Sequence, residues 1–373
     1  MIYLDSAATT MQKPPEVARA SAYAMTHMAS PGRGGHRPGM LAAETVFRCR
    51  QTAAELFNAP DPEHVILTSN ATHGLNIAIR SLLRPGGRAV ISGYEHNAVT
   101  RPLAAIPDLT VRAAASPLFD RNAALDAFAR ETAQGADAVI CTHVSNVFGF
   151  ILPVEDIAQM CARRGIPFVL DASQSAGVLP VDMQALRAAY VAMPGHKGLY
   201  GPQGTGLLLC GEDLPEPLLC GGTGSLSARQ EMPDFLPDRL EAGTQNVCGA
   251  AGLTEGMRFV RRRGLAAIES HERRLCRRMM DGLEKIPGVQ VFRGAGDSQS
   301  GLCSFRSEQM DCEIIGEELG KRGIAVRAGL HCAPLAHRSA GTEESGTVRV
   351  SFSAFNSTDE ADRALRALRD ILK

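Results

Sequence analysis

Short apolar, β-branched runs recur through the first 210 residues: HVILT (64–68), RAVIS (88–92), ADAVICTHV (136–144), IPFVLDAS (166–173), AAYVAM (188–193) and TGLLLC (205–210). Each reads as a strand. Between them lie segments of helical period such as THGLNIAIRSLL and VEDIAQMCARRG, the second closing on Arg-Arg-Gly as a C-terminal stop. This βαβ rhythm predicts an α/β fold with a large, mostly parallel sheet. From about residue 250 the pattern changes to a long helix, strand-like VQVFR and LCSFR, a helix over 311–322, IAVRAG, TVRVSFS and a closing helix over 358–372. That order predicts a smaller α+β domain. The domains expected are therefore a large one over 31–249 and a small one over 250–373, with the N-terminal segment 1–30 packing against the small one. No internal repeat or low-complexity tract interrupts them.

Composition narrows the function classes. A chain of 373 residues with 45% apolar residues can fill one large core and a smaller companion. Its 39 Lys and Arg are matched by 40 Asp and Glu, so no net field gathers nucleic acid or anionic membrane. The segment Arg258 to Arg278 holds eight arginines, but Glu269 and Glu272 interrupt them, and Phe259, Val260, Leu265, Ile268, Leu275 and Met279 run through it. It reads as the solvated face of an amphipathic helix. None of the ten cysteines stands in a C-x-x-C pair or beside a histidine at metal-ligand spacing, so no metal site is expected. The opening MIYLD lacks a basic segment followed by an apolar run, and no window reaches the length of a membrane span. The expectation is a reducing cytoplasm with free thiols.

In α/β sheets ligands bind beyond the carboxyl ends of the strands. After HVILT comes SNATHGLN, which enters a helix where the amides of Ala71, Thr72 and His73 and the Thr72 hydroxyl can hold a phosphate. The same stretch also reads as an ordinary N-cap. After IPFVL comes DASQSAG, whose Asp171 serves as a ligand group or as a helix cap. After AAYVAM comes PGHKGLYGPQGTG, where Lys197 lies among glycines. It is either a surface-turn lysine or, if desolvated, one able to form a Schiff base. A phosphate anchor, an Asp, and a Lys 26 positions after it together match what pyridoxal phosphate needs.

With YLDSAATT, GGHRPG, SNATHGLN, EHNA, HVSNVFG, DASQSAG, PGHKGLYGPQGTG, LEAGTQN, RAGLHCAP and TVRVSFSAFN in this order, the chain resembles the class V, fold type I pyridoxal-phosphate enzymes, specifically the cysteine desulfurase and selenocysteine lyase group. The resemblance implies a seven-stranded large domain, pyridoxal 5'-phosphate as cofactor, a homodimer, and a sulfur-acceptor protein as partner. It implies that Lys197 is the Schiff-base lysine and the base for the substrate α-proton, that Asp171 holds the pyridinium nitrogen protonated, and that His96 stacks over the ring and shuttles protons. By the same resemblance, Asn146 and Gln174 are expected to contact the ring and its phenolic oxygen, with Asn146 also near substrate. Thr72, His196 and, from the neighbouring subunit, Thr244 hold the phosphate. Arg349 grips the substrate carboxylate, and Arg327 contacts substrate or braces the loop. The resemblance further implies that Cys332 attacks the substrate sulfur, leaving a persulfide and releasing alanine, with His331 and Arg327 expected to sustain its thiolate.

Two positions depart from the family's pattern. Pro194 stands where a phosphate-donating serine is usual, and His73 replaces an acidic residue. The alternatives within the same cofactor class are a selenocysteine lyase, another carbon-sulfur lyase or an aminotransferase. From a different class, the alternative is a non-catalytic sulfur-relay protein.

Overall fold

In the computed structural model of the chain, which describes residues 1–32, 35–212 and 214–373, the apolar runs form one large sheet. Gly34, the first residue of GGHRPG, lies outside the described residues. The short β1 (Ile2–Tyr3) belongs elsewhere. The large sheet is built of β2 (Val65–Thr68), β3 (Arg88–Ser92), β4 (Thr110–Ala114), β5 (Ala138–Thr142), β6 (Phe168–Asp171), β7 (Tyr190–Pro194) and β8 (Gly206–Cys210). Their order is β2-β8-β7-β6-β5-β3-β4. Only β8 runs against the rest, so β2, β3, β5, β6 and β7 all end at one edge. Within β5, Val139 and Cys141 enter one apolar core while Ala138 and Ile140 enter another on the opposite face. A strand buried on both faces is apolar at every position, which is why these runs stand out in the sequence. Strand β4 does not stand out. It is the sheet's edge, with Thr110, Val111 and Ala113 exposed, so no apolar run marks it.

The helices of this part are α1 (Pro15–His27), α2 (Arg37–Phe57), α3 (Ala71–Leu82), α4 (Asn97–Ala104), α5 (Arg121–Thr132), α6 (Val154–Arg164) and the short α7 (Met183–Leu186). The long helix expected from residue 250 is two helices, α8 (Val247–Arg263) and α9 (Leu265–Leu283). They part at Gly264, whose φ of +84° leaves the helical region. Ala250, Ala251, Leu253 and Met257 of α8 pack in the large core, while Leu275, Met279 and Leu283 of α9 pack in the smaller one. On the Arg-rich stretch, Arg261 pairs with Glu55 and Arg278 with Asp362 on the solvated face, while the largely buried Arg273 pairs with Asp297.

The smaller unit holds β9 (Val289–Phe292), β10 (Leu302–Ser307), α10 (Cys312–Lys321), β11 (Ile324–Ala325), β12 (Arg327–Gly329), α11 (Pro334–Ala340), β13 (Thr347–Ser351) and α12 (Thr358–Ile371). Four strands form an antiparallel sheet in the order β12-β13-β10-β9. IAVRAG, which reads as one strand, divides between β11, paired with β1, and β12, paired with β13. The N-terminal segment likewise divides. Its β1 joins the smaller unit, and its α1 lies on α8. Residues 4–13 between them therefore run past the carboxyl edge of the large sheet. Among the described residues, no helix is long and apolar enough to cross a membrane.

Candidate active site

One cavity of about 690 Å³, open mouth included, lies at that edge, lined among others by Asn70, Ala71, Thr72, His96, Asn146, Asp171, Gln174, Pro194, His196 and Lys197. They come from the ends of β2, β3, β5, β6 and β7 and the turns that follow, so the sheet's topology brings them together.

At one end the cavity meets the start of α3. The extended N-cap residue Asn70 accepts the His73 amide through Oδ1 at 2.9 Å. The three free amides expected here are therefore two, those of Ala71 and Thr72, because the cap uses the third. The Thr72 side chain is exposed beside them. The His73 ring lines a separate cavity with Glu241 and Thr244. Its Nε2 is buried there without a partner, and burial holds its pKa below the usual value. Thr244 does not line the Lys197 cavity of its own chain.

Lys197 follows β7 in a turn that only glycine permits: a Cβ on Gly198 would lie 2.4 Å from the Ala176 carbonyl oxygen. Burial pulls the lysine's pKa down to about 8, with Asp171 acting against the shift and Arg349 adding to it. The back of the turn is held by residues that local pattern did not single out. The His196 carbonyl accepts from the Thr10 amide at 3.1 Å, the Thr10 hydroxyl at 3.0 Å and Lys13 Nζ at 3.0 Å. Thr9 Oγ1 lies 3.0 Å from His196 Nδ1. Burial brings His196 down to about 4, so it is neutral at physiological pH. The only signal for Thr9 and Thr10 was YLDSAATT itself, and none marked Lys13.

Asp171 is buried at the end of β6. Oδ1 accepts the Ser173 amide at 2.9 Å within a turn, and no helix begins there for it to cap, while Oδ2 remains for a ligand. His96 caps α4, its Nδ1 accepting the Ala98 amide at 2.9 Å. Burial lowers its pKa against the pull of Asp171. The ring is therefore neutral with its proton on Nε2. Gln174 donates to the Ala7 carbonyl at 3.0 Å, leaving its second N–H available.

Beneath His96 lies the fully buried Glu95, whose Oε1 accepts from the Ser92 hydroxyl and from the Thr142 amide at 2.8 Å. Burial outweighs these bonds and pushes its pKa up to about 8, so the carboxyl stays protonated at neutral pH. A carboxyl raised on folding contributes stability that is complete below its unfolded pKa of 4.5 and is lost as pH rises through 8. Glu95→Gln cannot titrate. Its stability relative to wild type should therefore improve by about 1 kcal/mol per pH unit between those values. Thermal melts of both proteins from pH 5 to 8 check this, and a constant difference in Tm would refute it.

The other end of the site comes from the smaller unit. Arg349 on β13 is 2% exposed, stands opposite Arg327 of β12, and donates from Nη1 to the Asn146 carbonyl at 2.8 Å. Its Nη2 donates to Asp5 Oδ1 at 2.7 Å, while Nε is buried without a partner. The exposed Arg327 approaches Asp5 Oδ2 at 3.4 Å. Asn146 also donates from Nδ2 to the His331 carbonyl at 2.8 Å, so it joins the arginine to the cysteine loop.

Cys332 is exposed, and both it and His331 hold left-handed backbone, with φ of +55° and +53°. Such geometry at non-glycine residues costs of order 1 kcal/mol each and marks a loop whose shape is imposed by its surroundings. The Cys332 carbonyl accepts the amide of Asn97, the residue after His96, at 2.8 Å. The expectation that His331 and Arg327 sustain a thiolate is not met. The His331 ring is buried and stacked on His337 at 5.6 Å, and burial lowers its pKa far below the usual range, so it carries no charge. Arg327 is directed to Asp5.

Comparison with known proteins bears on the same arrangement. The family model described as Aminotransferase class-V matches residues 2–364. A protein of Pyrococcus abyssi named as a probable cysteine desulfurase is 33% identical over all of this chain and 94% of its own length. Among solved structures, the apo cysteine desulfurase of Thermococcus onnurineus superposes with a TM-score of 0.91 at 31% identity, covering all of this chain and 94% of that one. The Escherichia coli cysteine desulfurase CsdA in its S-sulfonic acid form superposes with a TM-score of 0.88 at 28% identity, covering all of this chain and 95% of that one.

Proposed function

Because the chain belongs to the class-V aminotransferase family, we propose that it works as a pyridoxal-phosphate-dependent cysteine desulfurase, converting L-cysteine to L-alanine and keeping the sulfur as a persulfide on Cys332. The observation that carries the reading is the convergence of Lys197, Asp171 and His96 on one cavity, to which the loop of the exposed Cys332 is tied through Asn97 and Asn146.

The donor set fits pyridoxal phosphate. Free helix-start amides and the Thr72 hydroxyl suit its phosphate, Lys197 Nζ suits its aldehyde carbon, and the free Oδ2 of Asp171 suits its ring nitrogen. Pro194 has no N–H to offer the phosphate, so at that point Thr72 and His196 act without it. When bound, the cofactor supplies an electron sink for charge left at the substrate Cα.

The chain's own residues do the rest. Arg349 binds the substrate carboxylate through its remaining donors and so fixes the Cα–H bond. Lys197, with its pKa near 8, takes up the Cα proton as the free amine. His96 presents a proton on Nε2 toward the cavity. Cys332 Sγ forms a bond to the substrate sulfur as the Cβ–S bond breaks, with that electron pair staying on carbon. L-cysteine and an enzyme thiol thus become L-alanine and an enzyme persulfide, and the atoms balance.

The protein acts as a homodimer in which Thr244 of each chain serves the other's phosphate site, a reading supported by its exposure away from the Lys197 cavity of its own chain. Its ten free cysteines support a cytoplasmic setting, where an acceptor protein takes the persulfide sulfur. Incubation with L-cysteine should release L-alanine in step with acceptor-borne or reducible sulfur. Amino-group transfer to a keto acid without alanine release would identify an aminotransferase instead. Turnover confined to selenocysteine would identify a selenocysteine lyase.

A further inference from the structure

A second buried imidazole lies beside the cysteine loop. His337 of α11 is fully buried, packs against Phe148, and has its ring plane within 6° of that of His331. Its Nε2 is 3.3 Å from His331 Nδ1 and its Nδ1 is 2.8 Å from the Thr342 hydroxyl, while His331 Nε2 is 3.3 Å from the Arg327 carbonyl. Burial keeps both rings neutral, so each carries one ring proton. The chain of bonds then has a single direction. A carbonyl only accepts, so the His331 proton is on Nε2 and its Nδ1 is a bare acceptor. His337 must therefore donate from Nε2, which leaves its own Nδ1 to accept from Thr342. Local sequence builds the far end. Gly341, with φ of +66°, ends α11, and the Thr342 amide folds back to the His337 carbonyl at 2.9 Å, which sets the hydroxyl beside the ring.

His331 and Cys332 hold left-handed backbone, which such residues keep only where the surroundings hold it. On the backbone the loop has two bonds, from the Asn97 amide to the Cys332 carbonyl and from Asn146 Nδ2 to the His331 carbonyl. Cys332 is itself exposed, so its sulfur is aimed by the loop rather than by packing around it. The His331 ring is a third attachment, to β12 through the Arg327 carbonyl and to α11 through His337. Without the His337 N–H, His331 Nδ1 would be a buried acceptor lacking a partner, and the ring would shift to find one. We propose that His337, oriented by Thr342, is a positioning residue for sulfur transfer: through the His331 ring it holds the Cys332 loop in the shape that brings Sγ to the substrate sulfur. The inference rests on the reading of Cys332 as the sulfur acceptor.

The test compares variants of the cofactor-loaded enzyme on L-cysteine and on L-selenocysteine, whose selenium depends less on extraction by a thiol. His337→Phe keeps a ring and removes the donor. It should bind cofactor and L-alanine as wild type does, read from cofactor absorbance, while kcat on L-cysteine falls by about tenfold or more and kcat on selenocysteine by much less. His337→Gln, which offers an N–H near the position of Nε2, should recover most of the L-cysteine rate. Thr342→Val removes the hydroxyl that fixes the His337 proton and should lower the cysteine-to-selenocysteine ratio in the same direction, with Thr342→Ser restoring it. That pair carries the test if His337→Phe does not fold. An unmoved ratio in His337→Phe, or in Thr342→Val where only that variant folds, overturns the positioning role, as does an equal loss on both substrates or no recovery in His337→Gln. Mass spectrometry after a single exposure to L-cysteine separates the two ideas. Added sulfur on Cys332 of the wild type with an unmoved ratio in the variants overturns the role of His337 alone, whereas no sulfur on wild-type Cys332 sinks the functional reading and this inference with it.

Discussion

Lys197→Ala is expected to lower alanine release from L-cysteine by at least about 10³-fold, because one substitution removes both the covalent holder of the cofactor and the base for the Cα proton. The chain has five lysines, and Lys285, Lys321 and Lys373 are exposed. Only Lys13 and Lys197 have pKa values pulled down to about 8 by burial. Lys13 is directed to Thr10 Oγ1 at 2.6 Å and to the His196 carbonyl, behind the turn, whereas Lys197 lines the cavity. Borohydride reduction of the loaded wild type followed by peptide mapping should therefore mark Lys197 and leave Lys13 unmodified. The variant should keep weak, non-covalent cofactor binding, since the start of α3 and Asp171 are untouched. Label on Lys13, or undiminished turnover in Lys197→Ala, would contradict the assignment.

Cys332→Ala should leave the cofactor and amino-acid sites intact and yet reduce alanine release from L-cysteine by about 10²-fold or more, since the sulfur loses its acceptor. Two of the ten cysteines are exposed, Cys332 and Cys220. Cys220→Ala, which is not among the residues lining the Lys197 cavity, serves as the control and should turn over as wild type does. Selenium leaves carbon more readily and depends less on extraction by a thiol, so Cys332→Ala should keep more activity on selenocysteine than on cysteine. Mass spectrometry of the wild type after a single exposure to L-cysteine should find the added sulfur on the peptide carrying Cys332. Sulfur on Cys220 alone, or unchanged desulfuration by Cys332→Ala, would remove Cys332 from the reaction.

Much of this was legible in the chain because its signals are local. A strand buried on both faces must be apolar throughout, so β3 and β8 fell close to where RAVIS and TGLLLC predicted them. Turns that follow such strands carry the ligand-binding side chains, and Thr72, Asp171 and Lys197 could be read from the residues after each run, while His96 came only from the resemblance of EHNA. Edge strand β4 escaped because solvent on its faces removes the apolar run that would mark it. The break at Gly264 escaped because helical period continues on both sides of a single turn-forming residue.

What only the tertiary structure decided concerns pairs of residues far apart in the chain, and the charges that burial imposes. Asp5 and Arg349 are 344 residues apart, and no local period links them. They meet because β1 pairs with β11 and residue 5 bridges to β13. Asn146 similarly joins Arg349 to the loop of Cys332. Nothing in RAGLHCAP reveals that His331 is neutral, because its charge depends on how much water the folded chain leaves around the ring. Residue identity and local pattern thus determined the strands, the turns and the kinds of reactive group this protein carries. Long-range packing decided which groups face one another and in which protonation state, since contact and desolvation arise only when distant segments are brought together.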